Sequence, residues 1–179
     1  MVTGNPAPES GVESKPWFGR NRTPAGLMRP AALRALTPAE RSLATEVFGP
    51  ALDAGRVRIF ALPAWNRAFV AGPGLVAWPA RGARLDFGEA PLGLQAMFVH
   101  ELAHVWQAQR GIFLPWAKLA AGDGAAAYAY DLDAGPSFGA LNIEQQASVV
   151  EHAFLASRGA ATPFAAARYA EIASEWRTV

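Results

Sequence analysis

The sequence predicts an α+β fold in which a small, mainly antiparallel sheet packs on a central helix and two or three further helices. Stretches with strand-like alternation lie together in residues 56–78, and most stretches with helical periodicity follow residue 91. Segregated strands and helices favour this class over a doubly wound sheet. The 179 residues, of which 51% are hydrophobic, are enough for one domain with a sizeable core.

Charge and cysteine content narrow the functional classes. Sixteen basic and 15 acidic residues leave a net charge of +1, so no charge field favours nucleic acid as a partner. The chain has no cysteine, which excludes disulfides and thiolate metal ligands. Any metal site would therefore use histidine and carboxylate ligands.

Residues 1–36 are predicted to form a flexible leader, and residues 37–179 the folded domain. The first part of the leader is rich in Pro, Gly, Ser and charge and lacks the apolar core of a signal peptide. No apolar run is long enough to span a bilayer. We therefore expect the protein to be cytoplasmic or to be exported by a non-classical, injection-type route.

The first helix is predicted to begin at Thr37. Thr37 can cap the helix, Pro38 suits the first helical position, and Glu40 completes a capping box. Gly49 is expected to end this helix.

The strands are predicted in the middle of the chain. Residues 56–62 alternate apolar and polar side chains, which is typical of a half-buried strand. Residues 69–78 are predicted to form two short strands around a glycine-rich turn at 72–74. The second of these, at 75–78, is a candidate edge strand for holding an extended peptide.

Four further helices are predicted. They cover about Pro91–Arg110 with Gly111 as the C-terminal cap, Trp116–Ala120, Ile143–Ser157 with Asn142 as the N-cap, and Thr162–Trp176.

The longest of these helices carries His100-Glu101-Leu102-Ala103-His104, the H-E-x-x-H pattern of zinc peptidases. Two histidines four residues apart lie on one helix face and can bind one zinc ion. Glu101 lies about 100° around the helix from His100, where it can act on water as a general base without being a ligand. The alternative to a metal site is a helix in which these two histidines make ordinary hydrogen bonds.

A catalytic zinc requires a third protein ligand. Glu144, on the first turn of the next long helix, is our choice, because this layout resembles that of gluzincin-type peptidases. Glu151, His152, Asp131 and Asp133 are also candidates. Glu151 follows Glu144 by seven residues and is expected to orient a ligand histidine.

Three segments resemble the bacterial Vgr-related proteins, which are related to a metallopeptidase-like domain found with contractile injection systems. The resemblance covers about residues 36–157, and its most specific parts are H-E-L-A-H-V-W-Q at 100–107 and I-E-Q-Q-A at 143–147. It implies a zincin-like fold and a zinc site at His100, His104 and Glu144. It does not supply a substrate.

Two weaker signals accompany these motifs. Tyr128 and Tyr130 lie between the zinc helix and Glu144, and a phenol there could donate to an oxyanion; Tyr130 is our preferred catalytic candidate, although two ordinary buried tyrosines remain the simpler interpretation. Residues 135–139 match the G-x-S-x-G pattern of serine hydrolases, but no apolar strand precedes them, so we expect a glycine-rich loop.

The sequence therefore predicts a zinc-dependent peptidase of gluzincin type, which hydrolyses peptide bonds in a peptide or protein substrate with a zinc-activated water. The alternative is a non-catalytic, zinc-stabilised adaptor or accessory domain of a secretion or contractile injection apparatus. An open cleft beside the metal would favour the enzyme, and a closed metal site would favour the adaptor.

Overall fold

A computed structural model describes residues 26–122 and 124–178. Within these residues the chain forms a small mixed sheet and seven α-helices, which is an α+β arrangement. The strands are β1 (Leu33–Ala35), β2 (Arg58–Leu62), β3 (Phe69–Ala71) and β4 (Leu75–Pro79). The helices are α1 (Pro38–Phe48), α2 (Leu92–Gln109), α3 (Leu114–Ala121), α4 (Ala125–Tyr128), α5 (Ile143–Ser157), α6 (Ala166–Ile172) and α7 (Ser174–Arg177).

The sheet has the strand order β1-β2-β4-β3. The predicted hairpin of β3 and β4 is confirmed, with Gly72 at a positive φ in its turn. The pairing of β2 with β4 is parallel, and the other two pairings are antiparallel. The sheet is thus mixed, where the sequence predicted a mainly antiparallel one.

The predicted edge position of residues 75–78 is wrong. Strand β4 lies between β2 and β3, and its consecutive residues Val76, Ala77 and Trp78 are all buried. A run of buried residues without alternation is typical of a strand covered on both faces. On this side of the sheet the edge strand is β3.

Order begins earlier than the predicted boundary at residue 36. Met28 is buried, and β1 pairs with β2. The Arg34 guanidinium contacts both carboxylate oxygens of Glu40 at 2.6 Å, and such charge-assisted pairs hold segments firmly. Residues 26–36 therefore belong to the folded domain; the leader prediction for residues 1–25 lies outside the described residues.

The helix ends follow local signals closely. Thr37 accepts a hydrogen bond from the Glu40 backbone, and the Glu40 carboxylate accepts one from the Thr37 backbone, so the predicted capping box is confirmed. The bounds of α5 match the prediction. The predicted last helix, Thr162–Trp176, is too long at its start. The Thr162 hydroxyl donates to a backbone carbonyl two residues later, and such local bonds compete with helix formation. Helix α6 begins only at Ala166, and α7 is separate.

Helix α2 lies between the sheet and α5. On the sheet side, Phe98 of α2 stacks on Phe87 with ring centroids 4.9 Å apart, and Phe87 contacts Trp78 of β4 at 4.4 Å. On the other side α2 packs against α5, where Ala147 is fully buried. A small residue there permits close approach of the two helices. The remaining stripe of α2 carries the polar residues described next.

Candidate metal centre

Two elements bring three candidate ligands together. His100 and His104 project from one face of α2, and Glu144 projects from the first turn of α5. The Nε2 atoms of the two histidines lie 3.5 Å and 3.4 Å from Oε2 of Glu144. One possible ligand atom from each residue falls within 4.8 Å of the other two. The structure thus assembles the predicted ligand set.

The spacing fits a zinc ion. Ligand atoms about 2.0–2.1 Å from a tetrahedral zinc are roughly 3.3 Å apart, close to the separations of Glu144 Oε2 from the two Nε2 atoms. These separations are too long for strong hydrogen bonds. Oε2 of Glu144 is accordingly buried without a hydrogen-bond partner, and such a group is costly unless something binds it. The donor set of two imidazoles and one carboxylate is that of a catalytic zinc site.

Both histidines are held in the tautomer that a metal requires. Nδ1 of His100 lies 3.0 Å from the Glu151 carboxylate, and Nδ1 of His104 lies 2.8 Å from Oε1 of Gln107. Because both partners accept, each Nδ1 carries hydrogen, and in the neutral ring each Nε2 presents a lone pair. Glu151 thus contacts His100 in the way predicted for a residue that orients a ligand.

Gln107 is a residue whose role sequence reasoning missed. It is fully buried, and its amide nitrogen donates to the Ile143 carbonyl at 2.9 Å and to the Gln146 side chain at 3.0 Å. One side chain therefore ties His104 to the start of α5, next to Glu144. Its spacing of three residues from the second histidine was the available signal, because that spacing shares a helix face.

The titration of these groups reflects their crowding. Burial lowers the pKa of His100, but the Glu144 and Glu151 carboxylates outweigh it and raise the pKa to about 9. Burial raises the pKa of Glu144, but the His100 and His104 rings and the Lys118 ammonium hold that pKa well below its ordinary range. The Glu144 carboxylate therefore stays ionised and favours a positive charge beside it, either a proton on His100 or a metal cation.

Glu101 adjoins the candidate ligands without being one. Its Oε2 is buried and lacks a hydrogen-bond partner. Burial raises its pKa above the ordinary value and outweighs the neighbouring histidines His104 and His100, which lower it. A carboxylate with a raised pKa is a stronger base and is suited to act as a general base.

The centre lies in a cleft of about 640 Å³, bounded by β3, α2 and α3. The cleft wall is mostly apolar and includes Phe69, Val70, Leu94, Met97, Leu114, Pro115 and Ile143. Glu101 and the three candidate ligands also face it. A few convergent polar groups in an apolar cleft are typical of a site that binds a substrate.

The structure corrects the choice between the two tyrosines. Tyr128 lines the cleft, and its ring lies 6.4 Å from the His100 ring, centroid to centroid. The Tyr130 hydroxyl instead bonds His152 and Tyr169, and Tyr130 does not line the cleft. The two tyrosines are separated by one residue at the end of α4, and of the two only Tyr128 lines the cleft of the candidate centre.

Asp131, Asp133 and His152 lie apart from the centre. Asp131 accepts hydrogen bonds from the backbone of its own turn, Asp133 contacts Arg168, and His152 is bonded to Tyr130. Residues 135–137 form a loop that leads into a 3-10 turn at Phe138–Ala140, where the sequence predicted a glycine-rich loop.

Comparison with known proteins finds similarity to one protein of Pseudomonas aeruginosa, by its sequence and by the solved structure of one of its domains. The chain is 31% identical over 162 residues to the type VI secretion system spike protein VgrG2b, an alignment of 81% of this chain and 15% of that protein. It is 30% identical to the solved effector domain of VgrG2b, with a TM-score of 0.61, covering 82% of this chain and 85% of that one. The chain thus spans about a seventh of the spike protein and most of its effector domain. No family model matches the sequence.

The helices of the described residues do not combine the length and hydrophobicity that crossing a bilayer requires.

Proposed function

The chain belongs to the family of the VgrG2b effector domain, and on that premise we propose that it is a zinc-dependent peptidase of gluzincin type with a zincin-like fold. One observation carries the proposal: two Nε2 atoms and one buried, unpartnered carboxylate oxygen converge in an open cleft beside Glu101. His100, His104 and Glu144 would hold the metal. Such a ligand set leaves a fourth position free for chemistry.

The residues around the ligands have distinct tasks in this proposal. Bound zinc would supply the Lewis acidity that polarises a peptide carbonyl. Glu101 would take the proton of the attacking water and pass it to the leaving amine, a role to which its raised pKa is suited. Tyr128 would donate its hydroxyl hydrogen to the oxygen that becomes negatively charged.

The substrate is expected to be an extended peptide segment. Strand β3 is an edge strand, and its residues Phe69 and Val70 line the cleft. A peptide can pair with such an edge through backbone hydrogen bonds. The apolar wall would receive side chains from this segment.

The family also suggests how the protein is exported to its target. Its relative is named as a spike protein of a type VI secretion system, so we propose that this chain is an effector of such an apparatus and acts on a protein target after export. This route does not depend on a signal peptide.

The proposal is tested by metal analysis and cleavage of a peptide library, with and without chelator. We expect about one zinc per chain and chelator-sensitive cleavage. Glu101→Gln should retain zinc and lose about 100- to 10,000-fold in rate, the usual contribution of a general base. Glu89→Gln, at an exposed position outside the cleft lining, is the matched control and should cleave as the wild type does. Equal cleavage by the wild type and Glu101→Gln would refute the mechanism.

The non-catalytic adaptor predicts a different result. Zinc binding would raise the thermal stability, because the ligands join α2 to α5, but no peptide would be cut by any variant. The open cleft beside the ligands favours the peptidase.

A further inference from the structure

The carboxylate of Glu144 has two oxygens in different surroundings. Its Oε2 faces the two histidines, whereas its Oε1 lies 2.7 Å from Nζ of Lys118 on α3. The Glu144 side chain is 1% exposed and that of Lys118 is 42% exposed. The Lys118 ammonium therefore contacts Oε1 of Glu144 from the cleft wall and leaves Oε2 without this contact.

We propose that Lys118 is a positioning residue that restricts Glu144 to binding the metal through Oε2 alone. This inference rests on the zinc site proposed above. A carboxylate with both oxygens free can bind a metal through one or both of them. With Oε1 held by the ammonium, the second oxygen is withheld from the ion, and the fourth coordination position stays open.

The ion pair also accounts for a buried charge. Glu144 sits in the first turn of α5, where the helix dipole favours a negative charge, but a buried carboxylate still requires a partner. Lys118 supplies this partner without blocking Oε2. Since Lys118 is partly exposed, water weakens the repulsion between its charge and a metal ion. We therefore expect the orientation of Glu144 to dominate the effect on metal affinity.

The helix that carries Lys118 is placed for this task. Helix α3 packs against both α2 and α5, the two helices that carry the ligands. Leu114 and Pro115 of α3 line the cleft with Lys118, whereas Leu119 is 73% exposed. Leu119 is therefore a neighbouring position where a substitution disturbs α3 without touching Glu144.

The test measures zinc affinity by competition with a chelator in the whole chain. Lys118→Met should bind zinc about 10- to 100-fold more weakly, the usual cost of losing a partner of a metal ligand, because orienting the freed Glu144 carboxylate costs more than a second oxygen contact returns. Lys118→Arg, which keeps a cationic donor, should restore most of the affinity. Leu119→Ala should bind as the wild type does. An unchanged affinity in Lys118→Met, or an equal loss in Leu119→Ala, would overturn the inference.

Cobalt(II) in place of zinc gives a second readout, because its visible absorption weakens when its coordination number rises. The cobalt form of Lys118→Met should absorb more weakly than the wild type, as Oε1 of Glu144 joins the ion. Identical spectra would overturn the inference while leaving the proposed zinc site intact. A wild-type protein that binds neither metal would refute the proposed function and this inference together.

Discussion

Replacing Gln107 by leucine removes the side chain that orients His104 and keeps a similar volume. The substitution leaves two buried groups without a partner, Nδ1 of His104 and Oε1 of Gln146, whereas the Ile143 carbonyl keeps its bond within α5. Each unpartnered buried group costs about 1–3 kcal/mol. We expect a loss of about 2 kcal/mol in the free energy of unfolding, at the low end of the sum, because Gln146 keeps its two bonds to backbone carbonyls.

This loss corresponds to a melting temperature lower by about 4–8 °C for a chain of this size. Zinc affinity should fall by about 10- to 100-fold, because Nε2 of His104 is no longer aimed at the metal. Thermal melting of the metal-free protein measures the first quantity, and chelator competition measures the second.

Gln109→Leu on the same helix is the matched control. Gln109 also makes three hydrogen bonds, to Asp53 and Pro73, but at an exposed site. Water can replace those partners, so the expected loss is below about 1 kcal/mol, with unchanged zinc affinity. If Gln107→Leu and Gln109→Leu bind zinc equally well, the reasoning about the orientation of His104 is refuted.

The geometry supports three further predictions. In the metal-free protein the pKa of His100 is raised to about 9, so a proton competes with zinc for this ring at neutral pH. The apparent zinc affinity should therefore rise about tenfold per pH unit between pH 7 and 9 and then level off. Tyr128→Phe should lower kcat about 100-fold with little change in KM, whereas Tyr130→Phe should leave kcat unchanged. Arg34→Met leaves the Glu40 carboxylate buried without its cation and should lower the free energy of unfolding by about 3 kcal/mol.

Each of these has its own control. A zinc affinity that is flat from pH 7 to 9 would contradict the raised pKa of His100. Equal kcat in the two tyrosine variants, measured on one peptide substrate, would contradict the placement of Tyr128. Arg158→Met, which breaks an exposed ion pair with Glu46, should lower the free energy of unfolding in denaturant by less than about 1 kcal/mol. An equally small loss in Arg34→Met would contradict the stabilisation that we assign to the Arg34–Glu40 pair.

Local signals in the sequence were sufficient for several elements. The capping box at Thr37 and the cap at Asn142 predicted where α1 and α5 begin, because these bonds join residues two or three apart. The spacing of His100 and His104 placed both rings on one face, because four residues make about one helical turn. These features depend only on neighbours in the chain.

The order of the strands depended on distant contacts. The alternation in residues 56–62 predicted a strand, but not that β2 would pair in parallel with β4. The burial of Val76, Ala77 and Trp78 distinguishes a central strand from an edge, and that burial arises from packing on both faces. Composition also suggested that the leader ended at residue 36, whereas the ion pair of Arg34 with Glu40 holds this segment in the fold.

The sequence by itself determined which residue types could bind a metal and the helix that carries two of these candidate ligands. Only the tertiary structure decided which carboxylate lies beside the two histidines and which side chains contact this cluster. Glu144, Gln107 and Lys118 lie on three different helices, and their mutual distances depend on how α2, α3 and α5 pack. Tyr128 and Tyr130 differ by two positions in sequence, but the fold directs one to the cleft and the other to His152. Side-chain direction past a helix end is set by packing, which no local spacing encodes.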